Sequence, residues 1–131
     1  MFVSITRLHL RSARYLIPFI IYSVRSSRQA RRTDGNIATD LLRDKHGAYW
    51  TRTIWRDETS MRTFMMSGAH RRAMPKLLDW CDEASLVHWD QESSVPPEWA
   101  DAHRRLVTQG RKSKVRYPTA AHESLGFPPP R

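Results

Sequence analysis

The order of strand-like and helix-like hydrophobic patterns along the chain is compatible with only a few folds. Strand-like alternation and helical repeats follow one another in the order strand, helix, strand, strand, helix, strand. That order predicts an α+β fold of the ferredoxin-like, split βαβ type, with an antiparallel four-stranded sheet. The segments that carry it are, in the same order, residues 2–10, 12–32, 36–43, 48–56, 57–81 and 85–91, with a break at residues 67–68 in the second helix.

The C-terminal part of the chain is an addition to this plan. Pro96 and Pro97 start a short helix that Gly110 closes. Residues 111–131 are polar, basic and proline-tipped, which predicts an extended or disordered arm. The sequence thus predicts a ferredoxin-like domain over 1–95 and a C-terminal helix and basic arm over 96–131, in the same unit or at a dimer contact. With both helices on one face the other sheet face is left bare, so a homodimer is expected to cover it.

The charge balance and the apolar content narrow the class of partner. The chain has 22 Lys+Arg against 13 Asp+Glu and a net charge of +9, which permits contact with nucleic acid, anionic lipid or acidic ligands. No RNP, KH, zinc-finger or helix-turn-helix signature accompanies the charge, so nucleic acid is not the predicted partner. The lone Cys81 excludes an internal disulfide framework. The apolar run 15–24 is shorter than the roughly 20 residues of a membrane span, and we expect a cytoplasmic protein without one.

The second half of the sheet pattern carries a family resemblance. A strand from Trp50 to Trp55 leads through an acidic turn to a helix with Phe64, followed by Ser67 and His70 in a Ser-x-x-His element. This resembles the dimeric α/β-barrel superfamily that includes antibiotic-biosynthesis and heme-degrading monooxygenases. The resemblance covers about residues 2–91 and is strongest to an uncharacterised branch similar to spheroidene monooxygenase. It implies a small-molecule monooxygenase-like protein, homodimeric, acting on a flat, mostly apolar substrate of phenolic, polyene or heme-like type.

The resemblance does not decide whether the protein uses heme or no cofactor. In heme-degrading relatives an Asn on the first strand and a His beyond the Ser element support the heme, and here those positions are Thr6 and Met74. His70 lies one helical turn earlier. In the cofactor-free version His70 is the base, with Thr6 and a tryptophan orienting the substrate ring. In the heme version His70 is the axial ligand, and otherwise no metal ligand is assigned.

The candidate substrate residues follow from this hypothesis. His70 shares a helix face with Met74, where an imidazole can move a proton, ligate iron, or simply be a satisfied, partly buried side chain. Trp50 and Trp55 point to opposite sides of their strand, so one of them faces the helices. We therefore predict a small-molecule cavity bounded by His70, Met66, Met74, Thr6 and one of Trp50 or Trp55.

Two further interpretations stay open at this stage. His88, with Asp90 on its own face of the last strand, is a weaker candidate for a His–Asp acid–base pair, because solvated polar faces show the same spacing. The alternative to an enzyme is a non-enzymatic dimeric module that binds a ligand or partner. An internal apolar pocket containing His70 favours the enzyme, and a filled core with His70 hydrogen-bonded to the backbone favours the module.

Overall fold

The computed structural model describes residues 1–130 and contains one antiparallel sheet of five strands in the order β2-β3-β1-β4-β5. This confirms the predicted α+β, ferredoxin-like fold, and it adds a short fifth strand to the four expected. The elements are β1 (Phe2–Leu10), α1 (Leu16–Arg32), β2 (Asn36–Arg43), β3 (Ala48–Trp55), α2 (Glu58–Met65), α3 (Gly68–Trp80), β4 (Cys81–Asp90), α4 (Trp99–Gln109), β5 (Arg111–Lys112) and α5 (Ala120–Ser124).

The central strand β1 determines which side chains share a sheet face. Its residue Ser4 lies opposite Thr53 on β3 and His88 on β4. Because side chains alternate along each strand, all three lie on one face and their sequence neighbours lie on the other. The register of the whole sheet is thus set by two long antiparallel ladders through β1.

Local capping explains where the helices begin. Asp57 accepts a hydrogen bond from the backbone N–H of Ser60 at 2.8 Å, as expected of an N-terminal cap. Ser12 caps a short 3₁₀ turn over residues 13–15 instead of the long helix, which begins only at Leu16. Pro18 therefore falls in the first turn of α1, where its missing N–H has no partner to lose.

The two sheet faces are both covered, which corrects the expectation of a bare face. Helices α1, α2 and α3 pack on one face, and α4 packs on the other, where Ala102 and Leu106 are fully buried. The premise of the sheet-to-sheet homodimer is therefore wrong, although the homodimer itself remains a prediction. A pair of chains would have to meet on another surface or exchange the C-terminal segment.

The C-terminal arm is folded onto the sheet, not extended or disordered as the sequence predicts. Beyond α4 the chain adds β5 to the edge of β4 and forms the short helix α5. His122 accepts a hydrogen bond from the N–H of Ala84 at 3.1 Å, and Phe127 is buried against the sheet. The polarity of the segment misled the prediction because its backbone also bonds to the edge strand: the N–H groups of Ser113 and Thr119 donate to carbonyl oxygens of β4 at 2.9 and 3.2 Å.

None of the helices formed by residues 1–130 combines the length and the apolar character that crossing a bilayer requires.

Candidate functional site

A cavity of about 170 Å³ lies between the sheet and the layer formed by α1, α2 and α3. Its floor is the helix-facing side of the sheet, where the strands carry small hydroxyl side chains. Apart from a bond between Thr39 and Asn36, these hydroxyls make no side-chain hydrogen bond within residues 1–130. They are therefore available to a ligand. The floor hydroxyls belong to Ser4, Thr6, Thr39, Thr51 and Thr53.

The α1 wall of the cavity mixes polar and apolar side chains, because three serines line it together with Phe19, Tyr22 and Ala30. The apolar Ile20 and Val24 of the same helix are exposed instead. The serines follow Phe19 at helical spacing, which places them on the inward side of α1. The signal was present in the sequence as a serine stripe, and the isoleucines on the opposite side concealed it. The inward serines are Ser23, Ser26 and Ser27.

The remaining wall is apolar and comes from α2 and α3. It contains aromatic, thioether and aliphatic side chains, which give an adaptable lining for a flat ligand. The cavity thus combines a hydroxyl-bearing floor with an apolar roof. The roof residues are Met61, Phe64, Met65, Ala73, Met74, Leu77 and Leu78.

The backbone at His70 is held by one side chain of α1. Gln29 donates from Nε2 to the carbonyl oxygens of Phe64 at 3.1 Å and Ser67 at 2.6 Å, and its Oε1 accepts from the N–H of His70 at 3.0 Å. These bonds satisfy backbone groups that the break between α2 and α3 leaves without helical partners. Gly68 adopts a φ of 57° at the break, and a Cβ there would lie 3.1 Å from Gln29. The hydrogen bonds of Gln29 therefore position the start of α3 above the sheet.

The imidazole of His70 lines the cavity in a defined orientation. Its Nδ1 lies 3.2 Å from the carbonyl oxygen of Met65, and its ring centroid is 4.5 Å from that of Phe64. Since a carbonyl can only accept, Nδ1 carries the proton and Nε2 is left as an acceptor. Burial lowers the pKa of His70, against an opposing contribution from the Met65 hydrogen bond. At neutral pH the ring is therefore a neutral base.

His88 is a second imidazole in the same cavity, on the β4 part of the floor. Burial, followed by the charge of Arg111, lowers the pKa of His88, so it too is neutral at neutral pH. Its ring packs on Phe2 with centroids 5.3 Å apart, and no hydrogen bond joins it to Asp90 in the described chain. His88 also lines a neighbouring surface groove of about 550 Å³, so it stands between that groove and the cavity.

The structure gathers only part of the predicted site. Thr6, Met74 and His70 all line the cavity. Met66 does not, because it caps the C-terminus of α2 and is 64% exposed. Trp55 faces the helices but lies behind Phe64, which stacks on it at 5.3 Å, and its indole N–H is buried without a hydrogen-bond partner among residues 1–130. The expectations for Met66 and Trp55 as cavity walls are therefore wrong.

Trp50 lies on the opposite sheet face and is completely buried there. Its indole N–H donates to Asp44 at 3.0 Å, and its ring meets Phe127 edge-on at 6.0 Å. Burial alone would raise the pKa of Asp44, but this bond and those from the Ala48 and His46 amides lower it. Trp50 therefore belongs to the folding core, and it is not a substrate residue of the cavity.

Two other groups of reactive side chains have structural explanations. His9, Asp82 and Glu83 bring potential metal-ligand atoms within 4.8 Å of one another, but Arg7 already pairs with Glu83 at 2.7 Å and its charge opposes a cation. Burial raises the pKa of the Cys81 thiol to about 12, so it is not a thiolate nucleophile.

Heme does not fit the cavity. An engineered cavity of about 150 Å³ in another protein is filled by a single benzene molecule, and the cavity here is of similar size. A tetrapyrrole, with four linked rings, is much larger. The Nδ1 of His70 is engaged by the Met65 carbonyl, which holds the imidazole in this narrow space.

A comparison with protein families identifies the sequence relatives of the chain. A family model described as "Domain of unknown function (DUF3291)" matches residues 24–114, which is more than half of the 131 residues. The match runs from α1 through β5, so α4 lies inside it. No curated protein matches the chain in sequence.

A comparison with solved structures identifies the fold relatives. An antibiotic biosynthesis monooxygenase has a TM-score of 0.63 at 14% identity, covering 71% of this chain and 100% of its own. SnoaB, a cofactor-independent oxygenase from Streptomyces nogalater, has a TM-score of 0.59 at 15% identity, covering 73% and 97%. A conserved protein from Methanosarcina mazei Go1 has a TM-score of 0.62 at 13% identity, covering 70% and 92%. At such identities the likeness establishes the fold, which is that of the antibiotic biosynthesis monooxygenases.

Proposed function

The chain belongs to the DUF3291 family of unknown function, and from that premise we propose that it binds a small, flat, hydroxylated ring compound and oxygenates it without a cofactor. One observation carries the proposal: a neutral His70 with a free Nε2 lines a cavity whose floor bears hydroxyl groups. The solved relative named as a cofactor-independent oxygenase has the same fold, which makes that chemistry the first to test.

The size and lining of the cavity support a narrow substrate class. About 170 Å³ accommodates one aromatic ring with small substituents, and neither a polyene nor a tetrapyrrole. The methionines and Phe64 of the roof contact the ring faces, while the hydroxyls of Thr6, Thr53 and Ser27 bind oxygen substituents at its edge. The preferred substrate is therefore a single-ring phenol, or an enolisable ketone of that size.

The proposed reaction uses only the substrate and oxygen. His70 Nε2 removes a proton from an activated C–H or O–H group, and the floor hydroxyls stabilise the resulting oxyanion. The anion supplies the electrons that reduce O₂, and a C–O bond forms as a hydroperoxide. His70 returns its proton to the peroxide oxygen, and loss of water then leaves a carbonyl. For a phenol, a ring C–H, the O–H hydrogen and O₂ thus become the second C=O of a quinone and H₂O. The apolar roof excludes bulk water during these steps.

The test is binding and oxygen uptake with a panel of single-ring phenols, hydroquinone among them. Wild-type protein should bind one or more of them and consume oxygen above the rate of the uncatalysed reaction. His70→Phe fills the site with a ring that can still pack on Phe64 but has no base, so it should retain the fold and lose the oxygen uptake.

The matched control is His46→Phe, because His46 is an exposed histidine in the β2–β3 turn. It should leave both binding and oxygen uptake unchanged. If His70→Phe unfolds the protein, the histidine is structural. If His70→Phe consumes oxygen as fast as the wild type, the base is another group and the proposal fails.

The non-enzymatic binding module remains the second candidate, because the His70 ring is hydrogen-bonded to the Met65 carbonyl as that alternative expects. The cavity is equally compatible with a ligand that is held and not converted. Phenol binding without oxygen uptake in the wild type would favour the module. The closer relationship to spheroidene monooxygenase also stays a prediction, and activity on a polyene would require the cavity to open.

A further inference from the structure

The solvent-facing side of α1 is apolar and basic, the reverse of a helix that packs on a core. Ile17 is 71% exposed, and Ile21 and Val24 are exposed as well. These three positions and Arg28 recur at helical spacing, so they form one continuous outward stripe. The inward side of the same helix already packs within the chain through aromatic, serine and alanine side chains, so that packing does not explain the outward apolar stripe.

The arginines around this stripe are free of acidic partners. In residues 1–130, none of the exposed arginines on or next to α1 lies within 4.0 Å of an acidic side chain. No acidic residue precedes Asp34 in the sequence, so the whole N-terminal region is uniformly positive. The arginines in question are Arg14, Arg25, Arg28, Arg31 and Arg32.

We infer that this face of α1 docks on the surface of an anionic lipid bilayer. Helices that lie in the membrane interface present apolar side chains to the acyl boundary and basic side chains to the headgroups. Here Ile17, Ile21 and Val24 enter the boundary, while Arg25 and Arg28 reach anionic headgroups from the same side of the helix. This inference does not depend on the proposed enzymatic activity.

A second copy of the chain is a poorer occupant of the same face. Two α1 helices packed side by side in either direction would bring the two copies of Arg25, near the middle of the helix, close together, and α1 has no acidic residue to neutralise them. A protein partner would also need pockets for a protruding ridge of branched side chains, whereas a fluid bilayer surface adapts to that shape. Lipid is therefore the occupant that satisfies both the charge and the shape.

The experiment is co-sedimentation of the full chain with phosphatidylglycerol vesicles and with phosphatidylcholine vesicles. The protein should bind the anionic vesicles and not the zwitterionic ones, and binding should weaken as salt is raised. Arg25→Gln with Arg28→Gln should reduce the affinity roughly 30-fold, from the attraction of two basic side chains near the surface. The matched charge control is Arg71→Gln with Arg72→Gln on α3, both exposed, which should change the affinity roughly threefold or less.

The apolar component is tested by Ile17→Ser with Ile21→Ser, which should reduce vesicle binding roughly tenfold or more. Since both side chains are exposed, the melting temperature should stay within a few degrees of the wild type. The control is Val95→Ser, at a side chain that is 67% exposed outside this face, with no expected effect on vesicle binding.

Three outcomes would overturn the inference. The first is a wild type that does not bind anionic vesicles. The second is an equal loss of affinity in the α1 and α3 charge variants, which would reduce the effect to net charge. The third is a dimer in the absence of lipid that Ile17→Ser with Ile21→Ser dissociates, which would make a second copy the occupant.

Discussion

The two faces of the central sheet come from the same strands but carry different kinds of side chain. The face under α4 is filled by large apolar residues such as Trp50, Ile5 and Ile54, all fully buried. The face under α1 and α3 carries serine and threonine at the adjacent positions of the same strands, and a cavity remains above them. Filling one face supplies stability, which allows the other face to leave space for a ligand.

The sheet face under α4 also shows how polar groups are accommodated in a core. Arg7 is buried, pairs with Glu83 at 2.7 Å, and its guanidinium lies 4.2 Å from the ring centroid of Phe127. The charge is therefore neutralised and covered by an aromatic ring from the C-terminal segment. His103 on α4 bonds the Phe127 carbonyl at 2.9 Å, which ties the same segment to α4.

Removing the C-terminal segment that covers one sheet face should have the largest effect, because it would change the association state of the chain. A chain that ends at residue 95 lacks α4 and Phe127, so it exposes the apolar face that they bury. We expect this chain to associate through that face or to precipitate, as sedimentation velocity would reveal. A truncated chain that stays folded and monomeric would contradict the role of α4 as cover. The full chain, measured in the same way, tests the homodimer predicted from the sequence.

Trp50→Ala should cause the next largest effect, a loss of stability. It removes a fully buried indole and leaves Asp44 without that hydrogen bond, and we expect a loss of about 3–5 kcal/mol in the free energy of unfolding. Thr51→Ala, at the adjacent position on the cavity side, should cost about 1 kcal/mol or less. Urea unfolding of both variants measures the difference, and similar losses would mean that the two faces do not differ in packing.

The acid sensitivity of the fold should come partly from the cavity face. The pKa values of His70 and His88 are lowered by burial, so the unfolded chain binds protons more readily than the folded chain below the ordinary histidine pKa of about 6.5. Their contribution to stability is complete above that pKa and is lost as the pH falls through it towards the folded pKa.

We therefore expect a lower free energy of unfolding at pH 5.5 than at pH 7.5, with a slope of at most about 1.4 kcal/mol per pH unit for each histidine. His70→Phe should flatten this dependence, and His46→Phe at an exposed position should not. The lowered pKa of Asp44 acts separately, because its contribution disappears only below its ordinary range. An unchanged pH profile in His70→Phe would contradict the burial of that ring.

The smallest effect on stability should come from the hydroxyls of the cavity floor. Thr53→Val keeps the shape of the side chain and removes a hydroxyl that faces the ligand space, so the free energy of unfolding should change by less than about 1 kcal/mol. The same change should weaken phenol binding, whereas Thr59→Val on exposed α2 should not. Equal phenol affinities in the two variants would show that Thr53 does not bind the ligand.

Much of the architecture follows from local pattern. The order of the elements, the Asp57 cap, the turn at residues 44–47 and the helix that Gly110 closes are all readable in the sequence and are present in the structure. Each depends on residues within a few positions of one another, and the periods of strand and helix reflect the backbone geometry directly. The fold class could therefore be predicted, and the common fold with antibiotic biosynthesis monooxygenases agrees with it.

The site depends on contacts that no local window contains. The Gln29 bond to His70 joins residues 41 positions apart, and the Glu83 partner of Arg7 is 76 positions away. Periodicity reveals that α1 has two faces, but which face turns inward depends on what the sheet offers it, and here the hydroxyl floor receives the serines. The C-terminal segment likewise appears polar until Arg7 and Trp50 provide a surface for Phe127. Side-chain placement of this kind is a property of the assembled layers, because burial is settled by the whole packing and not by the hydrophobicity of one segment.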